Sequence, residues 1–96
     1  MSDKEHYQQK LQAQLDLWKA EVEVLKAKAA DATADAKIEM HKQVDALELK
    51  LEEGKLKLAE FADSGHEAWE SLKDGAESVW ISIKSAFSDA KDKFKH

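Results

Sequence analysis

The stretch AKAADATADAK, residues 27–37, decides between two folds. It contains neither Gly nor Pro, and six of its eleven residues are Ala, the best helix former. The apolar stripe of the chain keeps its phase across it: Leu11, Leu15, Trp18, Val22, Leu25 and Ala29 come before, Met40, Val44, Leu47, Leu51, Gly54 and Leu58 after, with Ala32 and Ala36 between. From position 11 to position 58 this makes thirteen steps over 47 residues, or 3.6 residues per step, the turn of one α-helix. A loop has no reason to preserve that phase. The spacing therefore predicts one continuous helix over residues 3–62, roughly 90 Å long at about 1.5 Å per residue. The competing reading breaks the chain within residues 29–36, where Asp31, Thr33 and Asp35 offer capping side chains. It gives three helices of similar length in a monomeric bundle, with Leu25 facing Met40 and Trp18 facing Leu47.

Downstream, Asp63-Ser64-Gly65-His66 interrupts the pattern and predicts a turn over residues 63–66. Ser64 and Glu67 have the spacing of a capping box, and Gly65 suits the left-handed conformation that ends many helices. A second helix is predicted over about residues 66–94, with its stripe at Trp69, Leu72, Ala76, Val79, Ile83, Phe87, Ala90 and Phe94. A connection this short makes the two helices antiparallel. The register that pairs apolar with apolar sets Phe61 against Trp69, Leu58 against Leu72, Gly54 against Ala76, Leu51 against Val79 and Leu47 against Ile83. These residues form the expected hairpin core.

The second helix is about half as long as the first, so the stripe from Tyr7 to Ala32 has no partner within such a hairpin. Leu11, Leu15, Trp18, Val22 and Leu25 would leave roughly 8–15 kcal/mol of apolar burial unused in a single chain, at about 1.5–3 kcal/mol per large side chain. They are therefore expected to form an oligomer interface. The all-α fold that follows is a helical hairpin, a long N-terminal helix with a shorter antiparallel C-terminal one, assembling into a homo-oligomeric coiled coil, most simply a dimer. A thinner stripe, Leu17, Val24, Ile38, Leu49 and Leu56, lies on roughly the opposite side. In the second helix Trp80 falls at the edge of the seam and Ile81 opposite to it, which marks the pair as a surface for an apolar phase.

The chain has 96 residues, 36% of them charged, and a net charge of -5; every basic residue is Lys. An acidic chain without Arg repels a phosphate backbone and lacks the guanidinium fork, so nucleic acid is not an expected partner. No Cys is present, which excludes disulfides, thiolate nucleophiles and Cys-ligated zinc. His6, His41, His66 and His96 are never four residues apart, and pairs such as Glu23/Lys26 have the spacing of surface ion pairs. Neither a catalytic, a metal-binding nor a cofactor-binding residue is expected, and no small-molecule substrate. The N-terminus carries no apolar signal segment and no run is long enough to span a bilayer, so the expected location is cytoplasmic.

The segments KLQAQLDLWKAEVEVLKAKA, ADAKIEMHKQVDALELKLEEGKLKLAEF and GHEAWESLKDGAESVWISIKSAFSDAKDKFK resemble a family of small bacterial coiled-coil proteins named for stress response, with apolipoprotein-like amphipathic helices. The resemblance covers nearly the whole chain, and its most telling part is AWESLKDGAESVW. It implies a bacterial, stress-associated, non-enzymatic helical protein and transfers no catalytic residue. The expected function is that of a structural or interaction protein. The alternative is an amphipathic protein that covers a lipid membrane, a storage granule or an unfolded client.

Overall fold

The structure, a computed structural model, describes residues 3–65 and 67–94. Its regular secondary structure is helical throughout: α1 spans Asp3–Ala30, α2 spans Ala34–Asp63 and α3 spans Trp69–Phe94. The single helix expected over residues 3–62 is thus two helices, broken at residues 31–33. The amide of Asp31 donates to the Lys28 carbonyl and that of Ala32 to Ala29, both at 3.2 Å, tightening the last turn of α1. Thr33 is the N-cap of α2 with extended torsions (φ -63°, ψ 162°), and its hydroxyl makes no capping hydrogen bond. Burial explains why the chain folds back here. Continuous helix would leave the stripe of α1 in water, whereas a three-residue turn lays it on α2 and α3.

The helices run antiparallel in sequence. Lys4 at the start of α1 donates to the carbonyls of Ala62, at 3.3 Å, and Ser64 at the end of α2, and Lys26 near its end meets Glu48 at 3.1 Å. Between α2 and α3, Phe61 packs edge-on against Trp69 at 6.1 Å and Lys50 donates to the Ser82 hydroxyl at 3.0 Å. The bundle measures 51 × 19 × 18 Å.

The turn between α2 and α3 uses other chemistry than the capping box. The Ser64 hydroxyl donates backwards to the Phe61 carbonyl at 2.6 Å, closing α2 rather than opening α3. No described glycine has positive φ, so Gly65 does not take the left-handed conformation. Its carbonyl instead accepts from the amides of Ala68 and Trp69 at 3.1 and 3.2 Å, and α3 starts at Trp69. The helix start expected at His66 lies outside the described residues.

Candidate functional site

Of the five residues expected to meet a second chain, all are buried within this one. Leu11, Leu15, Trp18, Val22 and Leu25 join Val44, Leu47, Leu51, Leu58, Ile83 and Phe87 in a single core. The structure places them in the core of the bundle and not on an exposed face. In the expected hairpin core, Leu47, Leu51, Leu58, Phe61 and Ile83 are buried, while Trp69, Leu72 and Val79 are half-buried. Trp80 is 5% exposed and therefore not a surface residue; Ile81, at 65%, is. The backbones of α1 and α3 barely approach one another, and large side chains close the space between them. Trp18 stacks on Phe87 at 5.9 Å and lies 6.2 Å from Trp80. Among the described residues the Trp80 indole N–H has no hydrogen-bond partner.

Gly54 is where the three helices converge. A Cβ there would lie 2.8 Å from Ile83 Cδ1 and 3.0 Å from Leu15 Cδ2. At one end of the bundle Tyr7 packs on Phe61 at 5.4 Å and on Trp69 at 6.5 Å, with the Lys73 ammonium 5.3 Å from its ring centre. Burial, then a hydrogen bond to Glu77, then the charges of Glu77 and Asp74 push its phenol up to about 12. Neither convergence is announced by spacing within one helix, since both depend on where three helices meet.

The outward faces carry the remaining apolar groups. Leu17 and Val24 on α1 are 59% and 56% exposed, and Ile38, Leu49 and Leu56 on α2 are exposed as well. On α1 the exposed alanines Ala13, Ala20 and Ala27 alternate with Leu17 and Val24, giving a second four-three seam two residues out of step with the buried one. Two residues are about 200° of helix, so this seam faces directly away from the core. A stripe read from large side chains alone misses its three alanines.

Grooves flank α1 on both sides. One of about 370 Å³ lies against α2 and is bounded by Ala20, Lys26, Glu48 and Leu51; another of about 210 Å³ lies against α3, bounded by Tyr7, Gln14, Glu77 and Trp80. At the first groove Lys26 pairs across helices with Glu48 at 3.1 Å and along α1 with Glu23 at 3.6 Å, and elsewhere Lys91 on α3 pairs with Glu21 on α1 at 2.8 Å. The hydrogen bond to Glu48 and the charge of Glu23 raise the Lys26 ammonium above its ordinary value. Among the described residues no group of three or more His, Asp or Glu side chains is placed to hold a metal, and no helix is long and apolar enough to cross a membrane. The chain is thus an all-helical bundle whose exposed feature is a second apolar seam on α1. No known protein family, curated protein or solved structure matches it.

Proposed function

We propose that this chain is a non-enzymatic structural protein that associates with further copies of itself through the outer face of α1. As its resemblance to bacterial coiled-coil stress proteins implies, it serves a stress response in the cytoplasm. The outer seam carries the reading. The inner stripe of α1 is already covered by α2 and α3, and a second stripe at coiled-coil spacing, Ala13, Leu17, Ala20, Val24 and Ala27, calls for a further helix. Its alanines allow the close approach of about 8 Å at which helix pairs pack. That no described charged side chain is buried supports a role without catalysis, because acid–base work at neutral pH needs desolvated side chains.

Sedimentation tests this reading. Wild-type protein should exceed the 10.8 kDa of one chain, and the Leu17→Asp/Val24→Asp variant should return to it. A wild-type particle of one chain at about 100 μM would overturn it. The second reading, coverage of a lipid or other apolar surface, draws on the apolar side chains facing outward from all three helices. Flotation with vesicles separates the two: protein rising with anionic vesicles favours the second, and protein left at the bottom favours the first.

A further inference from the structure

The turn between α1 and α2 is held by little chemistry of its own. It is three residues long, contains no Gly or Pro, and lacks a side-chain cap at Thr33. No described residue of the chain has positive φ, so no residue here is committed to a conformation that helix forbids. Thr33 needs only a change of ψ from 162° to about -40° to become helical. On both sides lies Ala-rich sequence whose apolar phase is that of an unbroken helix.

We infer that the chain exchanges α1 between two copies. Residues 31–33 straighten, residues 3–63 become one helix, and α1 of each copy fills the groove between α2 and α3 of the other. The occupant is fixed by what the groove needs. Leu47, Leu51, Ile83 and Phe87 share one core with Leu11, Leu15, Trp18 and Val22, Trp18 stacking on Phe87 and Leu15 meeting Ile83 over Gly54, and a second copy supplies the same set in the same register. α1 runs antiparallel to α2 in the bundle, so the two long helices cross antiparallel about a two-fold axis at the hinge, with Ala32 and Ala36 beside the crossing.

Both forms make the same core contacts, so the difference between them lies in the hinge and in association. Straightening joins two helix ends and gives their unpaired amides and carbonyls helical partners. Closure within one chain is favoured by the high effective concentration of a segment tethered by three residues. Exchange therefore grows with protein concentration and with helix propensity at residues 31–33. It does not use the outer seam of α1, which stays exposed in both forms.

Because the chain has no Cys, introduced thiols report unambiguously. The side chains of Glu21 on α1 and Lys91 on α3 touch at 2.8 Å, so Glu21→Cys/Lys91→Cys places a pair of thiols within reach of a short bis-maleimide. The pair is introduced together with Leu17→Asp/Val24→Asp, which removes association through the outer seam, so that either reading can fail without the other. Protein refolded at about 0.5 mM, diluted and cross-linked at once should give a product of twice the chain mass under denaturing conditions. Asp31→Ala/Thr33→Ala should increase that product, and four Gly/Ser residues inserted after Ala32 should convert it to single-chain mass. Single-chain product from both the parent and the Asp31→Ala/Thr33→Ala protein overturns the exchange. So does a doubled product undiminished by the insertion, because exchange would then not depend on the hinge.

Discussion

Two helical glycines of like propensity differ in what surrounds them. Gly75 is exposed, and a Cβ there would meet only Lys57, its Cε at 3.6 Å, an ordinary contact. Gly75→Ala should raise stability by about 0.5–1 kcal/mol through helix propensity and the smaller entropy of the unfolded chain. At Gly54 the added methyl would press on Ile83 and Leu15, both fully enclosed, and an overpacking cost of about 1–3 kcal/mol should outweigh the same propensity gain and leave a net loss. Thermal melts of the two variants should therefore move in opposite directions, and a shared gain would mean that the helices do not converge at Gly54. Tyr7 adds a pH dependence. Its phenol is held up to about 12 from 10.0 by burial, by the hydrogen bond to Glu77 and by the charges of Glu77 and Asp74. As pH rises, the unfolded chain loses this proton first, so the contribution is intact below pH 10 and is lost as pH climbs towards 12. Between about pH 9 and about pH 11.5 the melting temperature of the wild type should fall further than that of Tyr7→Phe. Lysines titrate in both proteins, so parallel curves would show that the Tyr7 proton is not held by the fold.

Each helix presents a buried stripe and an outward face, and α2 tests the assignment cleanly. Leu51 is 8% exposed and Leu56 64%, five residues apart on one helix. Leu51→Ala should cost about 2–5 kcal/mol and Leu56→Ala under about 0.5 kcal/mol; equal losses by thermal or denaturant melt would overturn this division of α2 into an inner and an outer face. These stripes were legible in the sequence because burial selects large apolar residues at helical spacing. The end of α2 was legible too, through the Ser64-Gly65 break. The turn at residues 31–33 was not, because it uses none of the residues that usually punctuate a helix and keeps the phase of the stripe on both sides. From that one misplaced break the others follow. With α1 read as continuous with α2, Leu11 to Leu25 had no cover within the chain, and Trp80 sat beside a seam sized for one partner helix. A helix that touches two neighbours buries a wider arc than a two-helix seam does, and Trp80 lies in the added width. The outer stripe of Leu17 and Val24 was legible in the sequence, but its three alanines were not, since exposed Ala carries no signal until the backbone shows which way it faces.

At the scale of the whole molecule, one core cluster runs through all three helices, from Leu11 on α1 to Ala90 on α3. Lifting α1 away in a lone chain would expose Leu11, Leu15, Trp18, Val22 and Leu25 together with the side chains they cover, at about 1.5–3 kcal/mol for each large residue. That sum is of the order of the total stability expected for a domain of this size, about 5–15 kcal/mol. Detachment of α1 is then nearly the same event as global unfolding, and no intermediate with α2 and α3 alone should accumulate. It follows that exchange of α1 between copies proceeds through largely unfolded chains, which makes it slow in native buffer and fast during refolding. The measurable consequence is cooperativity. Trp18 and Trp80 report the packing of α1 against α3, and far-ultraviolet circular dichroism reports helix in all three elements. In urea the two signals should trace one superimposable transition in dilute protein. A fluorescence change that precedes the loss of helix would mean that α1 leaves first and that the hairpin of α2 and α3 stands by itself.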